Sequence, residues 1–221
     1  MKINVVQSLL KANDAVAAAN RRRLDEANVL GINLMSAPGS GKTSLLEATI
    51  PLLQPADRCA VLVGDLETTR DAERLGACGV QTTQINTGTG CHLSATQVSE
   101  GLNLIDLDEI AYLFIENVGN MVCPAAFDLG EHRRVVLLSV PEGDDKVAKY
   151  PTLFQSADAI ILTKIDLLDV LDFDRGRVEA DLARINTRAK RIDLSVKTGE
   201  GVQEWLDWLR QEREARAAER L

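Results

Sequence analysis

Short apolar runs alternate with amphipathic stretches along almost the whole chain. Seven runs read as strands, at 31–36, 59–64, 81–87, 111–117, 133–140, 158–164 and 191–196. Helical spacing marks 43–50, 70–77, 93–105, 145–156 and 176–188, and a last helix begins at about 202. Ahead of all of these, Val5, Val6, Leu9, Leu10, Ala12 and Val16 share one face of a helix over about 4–27. Tyr112-Leu113-Phe114-Ile115 and Val135-Val136-Leu137-Leu138 are apolar at successive positions. A strand of that kind needs cover on both faces, which a sheet with one wet face does not provide. The alternation therefore predicts an α/β architecture of three layers, a mostly parallel central sheet of about seven strands flanked by helices. No repeat, low-complexity segment or linker interrupts it, so residues 1–221 read as a single domain.

Composition narrows the classes. A formal charge of -8 lacks the basic footprint of a protein that grips nucleic-acid phosphates. No apolar run approaches the roughly 18 residues that span a bilayer. Met1-Lys2-Ile3-Asn4-Val5-Val6 lacks the charged-then-apolar plan of a signal peptide. The four cysteines, Cys59, Cys78, Cys91 and Cys123, have no disulfide-framework spacing. These features predict a soluble, acidic, cytoplasmic protein without nucleic-acid or membrane partners. Arg21-Arg22-Arg23 reads as a solvated helix face, Cys59 and Cys78 as packing residues, and His132 as a solvated loop residue.

The first chemical signal follows the run 31–36. Ser36-Ala37-Pro38-Gly39-Ser40-Gly41-Lys42-Thr43 joins a strand to a helix, the arrangement in which backbone N–H groups cradle nucleotide phosphates. The cradle is Pro38, Gly39, Ser40, Gly41, Lys42, Thr43 and Ser44, with Lys42 reaching the β- and γ-phosphates and Thr43 placed to ligate Mg²⁺. The usual first glycine of this motif is Ser36 here. Strand 111–117 ends in Glu116-Asn117-Val118-Gly119, which resembles the Asp-x-x-Gly sensor of the γ-phosphate in GTPases, with Glu116 for Asp. Asp65, after strand 59–64, is a second carboxylate for the Mg²⁺ shell or for positioning water; Glu67 and Asp71 are its alternatives. Asp71 also suits the first turn of a helix. No catalytic Gln or arginine finger stands out, which predicts slow hydrolysis, roughly 10⁻³–10⁻² s⁻¹.

The base is read further on. Thr163-Lys164-Ile165-Asp166 resembles the Asn-Lys-x-Asp motif of GTPases, with Thr for Asn. Asp166 can accept bonds from guanine N1–H and the exocyclic amine, which adenine cannot reproduce. Lys164 can lay its aliphatic stem along the base. Ser195-Val196-Lys197 resembles the loop that closes over guanine. An ATP-dependent small-molecule kinase would need an acceptor lid and a catalytic base, and neither is found.

A second constellation lies beside the γ-phosphate sensor. Thr87-Gly88-Thr89-Gly90-Cys91-His92-Leu93 follows strand 81–87, and Cys123 comes four residues after Gly119. If neighbouring strand ends bring these loops together, Cys91, His92 and Cys123 offer two thiolates and an imidazole, a soft set suited to Zn²⁺ or Ni²⁺. On spacing alone, buried thiols and a hydrogen-bonded histidine remain the other reading.

Together these motifs resemble one family over nearly the whole chain, the nickel-incorporation GTPases of NiFe-hydrogenase maturation (the HypB family, within the SIMIBI class of P-loop GTPases). The specific pieces are Gly64-Asp65 with Thr68 and Asp71-Ala72, Thr87 to Leu93, and Glu116 to Pro124. The related urease accessory GTPases carry Cys-Pro-His instead, and cobalamin-associated relatives lack this pair of loops. The resemblance implies GTP and GDP as ligands, Mg²⁺, and Ni²⁺ or Zn²⁺ on Cys91, His92 and Cys123. It also implies a homodimer promoted by GTP, a small zinc-containing accessory protein of the HypA type as partner, and the hydrogenase large-subunit precursor as recipient. Maturation of urease or a cobalamin enzyme is the alternative. The histidine-rich or cysteine-rich leader of many members is not found, so only the GTPase-linked site is expected. The helix face of Val5, Val6, Leu9 and Leu10 is a candidate partner surface, with packing on the domain as the other reading.

Overall fold

A computed structural model describes residues 5–218 apart from 66–69 and 89, and the side chains from residue 10 onward. The expected parallel sheet is present with all seven strands: β1 Leu30–Ser36, β2 Cys59–Asp65, β3 Gln81–Asn86, β4 Tyr112–Glu116, β5 Arg133–Ser139, β6 Ala159–Thr163 and β7 Lys190–Leu194. Their order across the sheet is β3-β2-β4-β1-β5-β6-β7, every pairing parallel. β1 and β4 lie inside the sheet and are buried at every position, which accounts for their unbroken apolar runs.

The helices are α1 Val5–Glu26, α2 Lys42–Leu53, α3 Arg70–Gly76, α4 Ala95–Leu102, α5 Lys146–Lys149, α6 Pro151–Gln155, α7 Arg175–Ile185 and α8 Val202–Ala218. Alternate residues of the strands face opposite layers. Leu30, Ile32 and Leu34 of β1, with Tyr112 and Phe114 of β4, pack against Leu45 and Ile50 of α2 and Trp205 and Leu209 of α8. On the other side Leu113 and Ile115 meet Leu24 of α1 and Val98 of α4, while Val136 and Ile160 meet α5 to α7. Trp205 is wholly buried, and its indole N–H donates to Thr49 Oγ1 at 2.9 Å, so the largest core side chain leaves no polar group unsatisfied.

Three local departures have physical causes. The helix expected over 145–156 breaks at Tyr150, because Pro151 has no N–H to donate and disfavours helical backbone before it. The expected 93–105 helix begins after Ser94, whose hydroxyl accepts from Gln97 N–H while the Gln97 side chain returns to Ser94 N–H. On α1 the buried positions are Asn13, Ala17, Asn20 and Leu24, and Ala12 is exposed, so the docked face is turned from the expected one. Asn20 donates to the carbonyls of Ala95 and Leu129, and Asn13 donates to Asp128 O and accepts from Ala95 N–H. The side chains of Val5, Val6 and Leu9 lie outside the described set.

Candidate functional site

All three groups of predicted site residues lie at the carboxyl edge of the sheet, where loops of a parallel sheet carry ligand sites. The phosphate loop turns with Gly39 and Gly41 at φ 77° and 101°, values that disfavour a Cβ. Lys42 and Thr43 open α2 with their side chains buried. Lys42 Nζ donates to Ser36 Oγ at 3.1 Å, so the serine that replaces the first glycine holds the lysine in the cleft. Thr43 Oγ1 donates to Glu116 Oε1 at 2.8 Å. Burial lowers the Lys42 pKa, with Glu116 opposing; burial raises that of Glu116, with Lys42 and the Thr43 bond opposing. Two charges that burial alone would discharge thus stabilise one another.

The cleft above them, about 400 Å³, is lined by Asp65, Asp71, Arg74 and Gly119 besides the phosphate loop. Glu116 Oε2 is buried without a hydrogen-bond partner among the described residues. A hydroxyl, a carboxylate with an oxygen to spare and Asp65 nearby form the hard oxygen set that suits Mg²⁺. Asp71 lies in the first turn of α3 and also lines the cleft. Glu67 and Thr68 fall outside the described residues.

A second cavity, about 390 Å³, continues from the phosphate loop between Thr163, Lys164, Asp166, Ser195, Val196 and Lys197. Thr163, in the place of the usual Asn, donates from Oγ1 to Ser40 O at 2.7 Å and so ties β6 to the phosphate loop. Lys164 takes a left-handed backbone (φ 59°) and its Nζ donates to Gly39 O at 2.7 Å, which lays its stem across the cavity. Asp166 Oδ1 accepts from Ser195 Oγ at 2.7 Å, and Lys197 Nζ lies 3.7 Å from Oδ2. The serine bond, ahead of the lysine, lowers the Asp166 pKa, keeping an acceptor in place.

Cys91, His92 and Cys123 offer ligand atoms that all lie within 4.8 Å of one another. The convergence needs a crossing, because β2 lies between β3 and β4 and the two strand ends are not neighbours as expected. The loop after β3 passes over the end of β2 at Gly64, where an added Cβ would come within 2.7 Å of the Leu93 side chain. The His92 ring lies against Phe127 with centroids 3.9 Å apart, and partial burial lowers its pKa, favouring the neutral imidazole that metals bind. A hydrogen bond with Cys91, more than burial, raises the Cys123 thiol; the Asn120 bond opposes it. Cys59 is buried in the main core and Cys78 packs against it, as expected of packing residues. Thr89 falls outside the described residues.

Sequence reading missed several contributors. His132 is not a solvated loop residue: its side chain is 1% exposed, and Nδ1 accepts from Gly31 N–H at 2.9 Å. Arg22 is exposed as expected, whereas Arg21 and Arg23 are only partly exposed and hold partners on the domain. Arg21 pairs with Asp128 at 2.6 Å, and Arg23 donates to Leu102 O at the end of α4. Glu142 accepts from Ser40 and Ser139 hydroxyls beside the phosphate loop. Arg74 reaches the cleft from α3 and is bound to Glu47 and Ser44. Asn117, between the two residues of the expected sensor, accepts N–H groups from both switch-side loops. Only the Asn117 position carried a sequence signal, its place inside the Glu116–Gly119 motif.

A parallel sheet that presents a phosphate loop, a buried lysine–glutamate pair and an adjoining cavity lined by Lys164 and Asp166 along one edge defines a P-loop nucleotide-binding protein with the GTPase fold. The family profile described as the CobW/HypB/UreG nucleotide-binding domain matches residues 31–193. The hydrogenase maturation factor HypB of Azotobacter vinelandii is 48% identical over 219 residues, 99% of this chain and 72% of that protein. The hydrogenase/urease maturation factor HypB of Helicobacter hepaticus is 44% identical over 215 residues, 96% of this chain and 88% of that one. The crystal structure of HypB from Helicobacter pylori in complex with nickel superposes with a TM-score of 0.89 at 39% identity, covering 92% of this chain and 96% of the other. The chain belongs to the HypB hydrogenase maturation factors.

Proposed function

We propose that this protein is a GTP-hydrolysing metallochaperone that holds nickel or zinc on Cys91, His92 and Cys123 and supports nickel insertion into a hydrogenase. The single observation that carries the reading is the three-ligand cluster with its atoms within 4.8 Å, one loop away from the Thr43–Glu116 pair. Two thiolates and a neutral imidazole favour borderline and soft cations over Mg²⁺. Support comes from the nickel complex of the Helicobacter pylori relative.

In this reading the backbone of Pro38 to Ser44 cradles the phosphates, Lys42 neutralises the β- and γ-oxygens, and the Gly119 N–H meets the γ-phosphate only in the GTP state. Bound Mg²⁺, on Thr43, Glu116 and Asp65, would neutralise charge on the phosphate oxygens. Asp166 selects guanine, Lys164 covers it, and Ser195, Val196 and Lys197 close the base side. Hydrolysis is slow, GTP promotes a homodimer, and the metal passes to the hydrogenase large-subunit precursor with a HypA-type accessory protein. Among the described residues no helix is long and apolar enough to cross a membrane, which is compatible with the cytoplasmic setting we infer.

The test is Ni²⁺ titration of the full chain with GDP and with a non-hydrolysable GTP analogue, read by thiolate-to-nickel charge-transfer absorbance. The expected result is an affinity that differs between the two states by roughly tenfold, a typical coupling between sites, and is lost in Cys123→Ala. Equal affinities, or binding that survives Cys123→Ala unchanged, would overturn the metal-switch reading. Service to a second nickel enzyme is the alternative, favoured by the Helicobacter hepaticus relative whose name joins hydrogenase and urease.

A further inference from the structure

The loop that leaves β4 carries two kinds of residue in alternation. Glu116 and Gly119 face the phosphate loop: Glu116 accepts from Thr43, and a Cβ on Gly119 would lie 2.9 Å from the Pro38 backbone. Asn117 and Asn120 face the other way. Asn117 Oδ1 accepts from Leu93 N–H at 3.2 Å and from Val118 N–H at 3.0 Å. Leu93 directly follows His92, and Val118 directly precedes Gly119. One oxygen therefore holds the loop of Cys91 and His92 and the loop of the γ-phosphate sensor. Asn120 Oδ1 accepts from Val122 N–H at 2.7 Å and Cys123 N–H at 3.4 Å, which fixes the approach to the remaining thiol.

The Asn117 amide has no slack. It is 1% exposed, and its Nδ2 donates at 3.2 Å to Asn33 Oδ1, itself on the fully buried strand β1 that feeds the phosphate loop. Asn33 in turn donates to Glu131, which Arg134 Nε and Leu129 N–H hold at 2.7 Å. A buried acceptor cannot release an N–H to water without leaving it unsatisfied, so both donors must follow its oxygen. A turn of the Asn117–Val118 peptide that carries Gly119 toward a γ-phosphate thus displaces the Leu93 N–H and with it His92.

We propose that Asn117 is a positioning residue that transmits the nucleotide state to Cys91 and His92, with Asn120 doing the same for Cys123. The inference rests on the metal-switch reading above and names the side chains through which it works. A purely structural asparagine would hold the loops equally in both nucleotide states, whereas a transmitter sets the ratio between them.

The experiment is the same Ni²⁺ titration in both nucleotide states on Asn117→Ala, Asn117→Asp and Asn120→Ala. Asn117→Ala is expected to bind nickel with an unchanged charge-transfer band while the ratio of affinities between the states falls to about twofold or less, from the roughly tenfold of the native chain. Asn117→Asp keeps an acceptor for both N–H groups, its other oxygen, protonated in this buried site, donating to Asn33 Oδ1, and is expected to keep most of the ratio. Asn120→Ala is expected to lower it. Should Asn117→Ala fail to fold, the other two decide, and native ratios in Asn120→Ala or a collapsed ratio in a folded Asn117→Asp overturn the proposal. A native ratio in Asn117→Ala overturns it as well, with the metal switch intact. A native chain with no ratio at all fails the metal-switch reading itself, and this inference with it.

Discussion

His132 is an imidazole kept neutral by what surrounds it. Its Nδ1 accepts the Gly31 N–H, so the ring proton is on Nε2, which points at Asp25 Oδ1 3.3 Å away. Asp25 is also paired with Arg216, joining α1, the start of β5 and α8 through one partly buried cluster. Burial, then the positive charge of Arg21 and Arg133, pushes the His132 pKa down to about 4. The folded pKa lies below the unfolded value of about 6.5, so this group's contribution to stability is complete above pH 6.5 and is lost as pH falls toward 4. The Asp25 carboxylate beside Nε2 opposes this shift, so the full loss is at most about 3 kcal/mol. Urea unfolding at stepped pH should show it, and the two histidines of the chain make a direct NMR titration simple. A His132 resonance that titrates above pH 6 would contradict this account. Single residues also show where sequence reading stops. Thr163 stands where the resembled motif has Asn, and its hydroxyl secures the phosphate loop through Ser40 O, a contact between residues 123 positions apart.

Among elements, the strands were the most legible. A strand buried on both faces writes its apolar run directly into the chain, and β4 and β5 do so. Helix ends were less so, because caps and breaks depend on one or two residues such as Ser94 and Pro151. The loop after β4 has no periodicity to read, yet its geometry governs the site. Gly119 packs on the Pro38 backbone, which cannot swing aside as a flexible side chain would. Gly119→Ala should push this loop off the phosphate loop at a cost of about 1–3 kcal/mol. We expect affinity for a GTP analogue to fall roughly 5- to 150-fold, the range that cost allows, while GDP affinity changes by about twofold or less. Fluorescent-nucleotide titration measures both, and an equal loss for the two nucleotides would show that Gly119 does not discriminate between them.

At the scale of the molecule, Cys91, His92 and Cys123 offer three candidate ligands where a closed tetrahedral site takes four. Val122, next to Cys123 in the chain, is 64% exposed. The GTP-promoted dimer proposed above would have this face as its candidate interface. Light scattering on the eluting protein should give twice the chain mass with a GTP analogue and metal, and the single-chain mass with GDP. A single-chain mass in both states would rule out the GTP-promoted dimer.

The sequence by itself determined the parallel α/β sheet, because burial on both faces leaves a pattern that neighbouring residues carry. It also placed the phosphate loop and Asp166 at strand ends, because those motifs are local to a few consecutive positions. Tertiary structure alone decided what lies far apart in the chain. Cys91, His92 and Cys123 meet because Gly64 has no side chain to bar the crossing over β2, and strand order is not a local property. His132 and Arg23 are polar residues whose partners, Gly31 N–H and Leu102 O, the fold supplies from about 101 and 79 positions away. Asn117 joins two loops through one oxygen, an arrangement no spacing can encode, since hydrogen bonds follow distance in space and not along the chain.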